Sequence, residues 1–109
     1  MTQIEIQNKI YDEINGNWNI TNLHGVNLKN CLITPIKQKY YSIDKEQEVE
    51  LWTVLEESQD HNGYKIFYDE VEDCYGLGNL YNLDKNQSNN FVLTSLGLYG
   101  TFLETLEMM

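Results

Sequence analysis

Arginine is absent from this chain, and seven lysines face seventeen aspartates and glutamates. Arginine is the side chain best suited to gripping phosphate or carboxylate groups through two parallel hydrogen bonds. Its absence and the formal net charge of −10 argue against nucleic-acid binding, which depends on neutralising phosphates. They argue equally against docking on anionic membranes. We therefore expect neither a nucleic-acid nor a membrane partner, whereas a basic protein partner stays open.

Cysteines and long apolar runs are also scarce. Cys31 and Cys74 are the two cysteines, and no C-x-x-C pair occurs. No run approaches the roughly 20 apolar residues of a membrane span, and the start, MTQIEIQNKIYDEI, lacks the features of a secretory signal. The sequence predicts a cytoplasmic protein whose cysteines are reduced.

Residue patterns that carry metal or catalytic chemistry are missing as well. The segment DEVEDCYGLGNL is rich in acids but lacks the glycine at position 6 that an EF-hand loop requires. His24, His61 and the two cysteines are not paired at zinc-ligand spacing. Cys31 and His24 form a nucleophile–base pair on paper, but nothing marks either as activated. We expect no metal, no cofactor and no catalytic residue, and hence a protein that is not an enzyme.

The chain length of 109 residues suits one domain, residues 1–109, with a modest core. Thr2 with Glu5 and Thr101 with Glu104 have the T-x-x-E spacing of a capping box, which predicts a helix at each terminus. GNWNITNLHGVNLKN is Asn-rich, which predicts irregular structure. Extended segments follow: CLITPIKQKYYSI, EVELWTVLEE, NGYKIFYDE, CYGLGNLY and FVLTSLGLY. Residues 48–57 favour a strand but tolerate a helix. The expected fold is α+β, an antiparallel meander of about four strands flanked by terminal helices.

The charge is concentrated in one part of the chain. Residues 44–73 contain eleven acids and two lysines, a formal charge of −9. Within them, YDEVEDCYG places four carboxylates in five positions, at the expected tip of a hairpin. Three explanations stay open: a solvated surface, a surface that meets a basic partner, or acids near a small-ligand site.

Aromatic residues accompany these acids. Most are expected in the core, and any left exposed beside the acids would be an interface anchor, since Trp and Tyr are typical of binding hot spots. Acids that steer a partner and aromatics that hold it are a common plan for inhibitors of basic enzymes. The candidate partner-binding residues are Glu56, Glu57, Asp60, Tyr68, Asp69, Glu70, Glu72, Asp73 and Tyr75.

The stretches LWTVLEES, GYKIFYDEVEDCYGLG and YGTFLETLEMM cover about a third of the chain. In these stretches the protein resembles bacterial toxin immunity proteins of the contact-dependent growth inhibition type. The resemblance implies a cytoplasmic, non-enzymatic inhibitor that neutralises a cognate toxin, with a nuclease as the expected target. Two alternatives stay open: a phage-type inhibitor that mimics nucleic acid and binds a host nucleic-acid-binding protein, or a small ligand-binding module or enzyme.

Overall fold

Two capping boxes fix where the terminal helices begin in this computed structural model, which describes residues 1–22, 25–57, 63–82 and 91–109. The Thr2 side chain accepts from the Glu5 backbone, and the Glu5 carboxylate accepts from the Thr2 backbone. Thr101 and Glu104 repeat the exchange. The first helix, α1, spans Gln3–Ile14 and the last, α3, spans Phe102–Met108. The predicted terminal helices are therefore confirmed.

A short helix lies in the Asn-rich segment, where the sequence predicted irregular structure. This helix, α2, spans Leu28–Cys31, and the Asn27 side chain accepts from the Lys29 and Asn30 backbone amides at its start. A single turn gives almost no repeating pattern, so hydrophobic spacing does not reveal it. Its first residue, Leu28, is fully buried and attaches this segment to the core.

The described residues form five strands, so the prediction of about four was wrong in number. The strands are β1 (Leu32–Ser42), β2 (Gln47–Glu56), β3 (Lys65–Asp69), β4 (Cys74–Asn82) and β5 (Phe91–Gly100). Consecutive strands pair antiparallel, as expected for a meander. The α+β class and the strand over residues 48–56 are confirmed.

The sheet closes into a barrel because β5 returns to β1. That last pairing is parallel and joins Tyr41 to Thr94 and Ser42 to Ser95. Closure leaves the first and last strands partnered along this stretch, where an open meander would expose both edges. Pro35 lies where the β1–β2 register shifts, between Leu32 and Ile36, in keeping with the confinement of proline to irregular strand positions.

Two hydrophobic clusters hold the barrel. Tyr40, Leu51 and Phe67 form a small cluster that fills the interior. A larger cluster joins buried residues of β2–β4, such as Ile66, to those of α1 and α3, such as Phe102. The helices therefore pack on the outer surface of the barrel.

The ends of the barrel differ in what they carry. In a meander, alternate connections lie at the same end. One end, which we name the acidic end, is formed by the β1–β2 turn (residues 43–46), the β3–β4 turn (residues 70–73) and the last residues of β5. The opposite end is formed by the start of β1, the end of β2, the start of β3, the end of β4 and the start of β5. This division decides which acids can act together.

Candidate functional site

The predicted partner-binding surface is divided between the two ends of the barrel. Glu56 pairs with Lys65 at the first residue of β3, whereas Asp69 is the last residue of that strand. Four steps along a strand separate Lys65 from Asp69 by about 13 Å. Glu56 and Glu57 therefore belong to the opposite end and residues 69–73 to the acidic end. Asp60 lies outside the described residues.

A bulge in β2 changes the direction of Glu56. Thr53 pairs with Phe67 and Leu55 with Ile66, so Val54 has no partner on β3. Because side chains alternate along a strand, this extra residue moves Glu56 off the face that carries Glu48 and Glu50. Strict alternation along β2 would place Glu48, Glu50 and Glu56 on one face, and the bulge removes Glu56 from it. Glu56 instead lies 3.6 Å from the Lys65 ammonium, which is 3% exposed.

Asp69 shapes the turn that follows it. Its Oδ1 accepts from the Val71 amide at 3.0 Å and from the Glu72 amide at 3.3 Å. This is the local side-chain-to-backbone bonding by which aspartate favours turns. Asp73 ends the turn with a positive φ of 49°. Asp69 thus has a structural duty, although no described cation neutralises it.

Glu70 is held by three donors. Its carboxylate accepts from the Met1 amino group at 2.6 Å, from Lys37 Nζ at 3.2 Å and from Trp52 Nε1 at 3.4 Å. These bonds, with the amino group first, then Lys37 and Trp52, lower the pKa of Glu70 to about 2. Glu70 therefore joins the turn to β1, β2 and the start of the chain. Its negative charge is largely neutralised by cationic groups of the same molecule.

Asp73 connects the same turn to α1. The Tyr68 hydroxyl donates to its Oδ1 at 2.6 Å, and Lys9 Nζ lies 3.2 Å from the same atom. The Tyr68 hydrogen bond and then Lys9 lower the pKa of this carboxyl group. Much of the acidic turn thus holds the helix against the barrel.

The two predicted aromatic anchors are core residues. Tyr68 is 1% exposed and Tyr75 is 3% exposed. Their rings pack on each other with centroids 4.8 Å apart, and Tyr75 also meets Phe102 of α3 edge-on. The structure thus corrects the prediction that they present an exposed surface. Both tyrosines hold the terminal helices on the barrel.

Besides the half-buried Asp69, four exposed acids at the acidic end have no cationic partner among the described residues. Glu72 is exposed in the β3–β4 turn. The other three lie in the β1–β2 hairpin, which also carries Glu50 at the 4.0 Å limit of an ion pair with Lys37. These three are Asp44, Glu46 and Glu48. Of these four acids, only Glu72 was predicted from the sequence as a partner-binding residue, although residues 44–73 also contain the other three.

Two adjoining hollows lie beside these acids. A groove of about 360 Å³ runs between the β1–β2 hairpin and the β3–β4 turn, where Asp69, Glu70 and Val71 line it. A smaller cavity of about 60 Å³ reaches towards β5 and Leu98. Both are lined by Lys45, Val49, Leu51 and Asp69. The acidic end is therefore a concave surface with mixed apolar and charged walls.

Cys31 and Cys74, considered for metal binding or nucleophilic catalysis, lie at opposite ends of the barrel. Cys31 Sγ donates to the Glu57 carbonyl at 3.7 Å, while Cys74 lies at the other end of the barrel. His24 and His61 lie outside the described residues. Within the described ranges, no three His, Cys, Asp or Glu side chains are grouped to hold a metal ion. None of the described helices has both the length and the apolar content to cross a membrane.

Comparison with protein-family models, with curated proteins and with solved structures returned no match to this chain.

Proposed function

We propose that this protein is a non-enzymatic, cytoplasmic immunity protein that binds and neutralises a basic toxin, with a nuclease as the target class. One observation carries the proposal: the acidic end holds four exposed carboxylates that no described cation neutralises, namely Asp44, Glu46, Glu48 and Glu72. Charge left unpaired on one surface costs stability through self-repulsion, and a basic partner would relieve that cost.

The acids around the turn have two different roles. Glu70 and Asp73 are engaged by Lys37 and Lys9, so they give the surface its shape. The unpaired carboxylates give this surface its negative electrostatic potential. A basic, phosphate-binding site on a toxin would meet these carboxylates where it otherwise meets phosphates. Such complementarity raises the association rate and makes that rate depend on salt.

The proposal is tested by purifying the tagged protein from cells that carry its native gene neighbourhood, with washes at about 50 mM and about 300 mM salt. We expect a stoichiometric basic partner. The double variant Glu48→Lys/Glu72→Lys should lose that partner at the higher salt.

The matched control is Asp12→Lys/Glu107→Lys, which makes the same charge change at exposed positions of α1 and α3. The control should keep the partner, because neither Asp12 nor Glu107 belongs to the strands and turns that form the acidic end. Equal losses from both double variants would contradict the surface assignment. A third variant, Glu57→Lys, asks whether the opposite end also contributes.

The identity of the partner separates the remaining functions. A toxin encoded beside this gene supports the immunity role. A host nucleic-acid-binding protein would instead indicate a phage-type nucleic-acid mimic, which would use the same carboxylates. Recovery of the protein alone would contradict both and would favour a small-ligand module.

A further inference from the structure

Exposed apolar side chains gather at the acidic end, where the predicted tyrosines do not reach. Val71 in the β3–β4 turn is 87% exposed, and Ile43 in the β1–β2 turn is 53% exposed. Three more exposed side chains lie in the last half of β5: Leu96, Leu98 and Tyr99. Single exposed hydrophobic residues are ordinary, but a group of them at one place marks an interaction site.

Two bulges in β5 bring its side chains to the surface. Ser95 pairs with Gly78 and Gly97 with Leu77, so Leu96 has no partner on β4. Likewise Leu98 pairs with Gly76 and Gly100 with Tyr75, so Tyr99 has no partner on β4. An extra residue on one strand re-aims the neighbouring side chains, and such bulges are frequent at barrel rims.

Strand register and the two hollows place four of these apolar residues beside the unpaired acids. Ile43 directly follows Ser42, which pairs with Ser95, so it lies level with Leu96. Val71 lines the groove and Leu98 lines the cavity that adjoins it. Asp69 is common to both hollows. Val71 and Leu98 therefore lie at adjoining hollows of the acidic end, with Ile43 and Leu96 on the neighbouring chain segments and carboxylates beside them.

Charge decides which kind of molecule covers this surface. β5 contains no charged residue, whereas the β1–β2 turn, the end of β3 and the β3–β4 turn contribute Asp44, Glu46, Asp69 and Glu72, besides the ion-paired Glu70 and Asp73, against Lys45. A second copy of the chain, itself carrying a net charge of −10, would bring like charges together at the same patch. Like-charge contact disfavours that pairing. A basic partner fits both parts of the surface.

We propose that Leu96, Leu98 and Val71 anchor an apolar segment of the partner that is flanked by lysine or arginine. The inference deepens the proposed function and rests on its claim that the partner is basic. The carboxylates govern how fast the partner arrives. The apolar contacts govern how slowly it leaves, because central apolar anchors dominate binding energy while peripheral charges mainly set the association rate.

The test adds a peptide probe to the isotope-labelled protein and locates its binding site from the changes in backbone amide chemical shifts, measured by NMR. The probe is the peptide acetyl-GKLFLKG-amide, and the controls are acetyl-GKSGSKG-amide and acetyl-GELFLEG-amide. We expect the probe to shift amides in the two turns and in residues 95–100. The apolar-free control should bind at least about fivefold more weakly, since it forgoes the apolar contact, and the acidic control should not bind.

Leu98→Asn and, independently, Leu96→Asn should each weaken the probe by about fivefold. The matched control is Ile4→Asn, an exposed apolar position on α1, and it should bind as the parent protein does. Any of three results would overturn the inference. They are chemical-shift changes centred on α1 or on the opposite end, no binding of the probe, and equal binding of the apolar-free control.

The two proposals can fail separately. Binding of the probe at the acidic end, with no basic protein recovered from cells, would support the anchoring surface and remove the proposed function. A basic partner whose affinity is unchanged by both Leu98→Asn and Leu96→Asn would keep the function and overturn the anchoring surface.

Discussion

Gly76 is the position where the barrel has least room for a side chain. It pairs with Phe67 across β3 and β4. A methyl group built there would lie 2.6 Å from Phe67 Cζ and would also collide with the Gly97 carbonyl oxygen. Carbon atoms in contact prefer about 3.5–4.0 Å, so the ring would have to retreat by about 1 Å. Phe67 is fully buried against Tyr40, with ring centroids 5.2 Å apart, which leaves it little freedom to do so.

We therefore expect Gly76→Ala to lower the free energy of unfolding by about 3 kcal/mol, the upper part of the range for overpacked cores. For a domain of this size that loss lowers the melting temperature by roughly 15 °C. Urea unfolding and thermal melting followed by circular dichroism measure both quantities. Gly78→Ala should have a smaller effect, because the added methyl would stand 2.8 Å from Tyr40 Cε2.

A control distinguishes this steric effect from the general effect of replacing glycine. Gly16 has a positive φ of 77° and no atom near its missing side chain. Asparagine accepts that conformation, so Gly16→Asn should change the stability by less than about 0.5 kcal/mol. Stability of Gly76→Ala within about 0.5 kcal/mol of the parent would refute the packing argument.

Three further predictions concern the charged groups. The pKa of Glu70 is lowered from 4.5 to about 2, so its contribution to stability is present above pH 4.5 and is lost as the pH falls towards 2; Glu70→Gln should flatten the melting temperature over that window. Lys65→Met should cost about 3 kcal/mol in urea unfolding, because it removes the buried cation beside Glu56, and Lys65→Met/Glu56→Gln should recover part of the loss. Glu72→Gln should leave stability within about 0.5 kcal/mol of the parent, because Glu72 has no described ion pair.

Local signals predicted most of the elements. The capping boxes located both terminal helices because their bonds join residues only three positions apart. The close packing of Gly76 and Gly78 under the rings of Phe67 and Tyr40, by contrast, depends on contacts between strands. Closure of the barrel was not predictable from local pattern, because it depends on Ser42 meeting Ser95 across 53 positions of chain.

The roles of the acids depended on register and were therefore only partly predictable. Glu70 and Glu72 are two positions apart in one turn and look equivalent in sequence. Lys37, 33 positions away in the chain, forms an ion pair with Glu70, whereas Glu72 has no cationic partner among the described residues. The bulge at Val54 similarly turns Glu56 towards Lys65, against the simple alternation of β2. The segment 44–73 indicated where charge concentrates, but it did not indicate which carboxylates are unpaired.

The central claim is that unpaired carboxylates at the acidic end guide a basic partner onto the protein. The most direct test is the association rate constant of the recovered partner, measured by stopped flow at about 50 mM and about 300 mM salt. The account predicts that Glu48→Lys/Glu72→Lys slows association about tenfold at low salt and flattens its salt dependence, while Asp12→Lys/Glu107→Lys changes it less than about twofold. The same slowing in both double variants, or in neither, would contradict it.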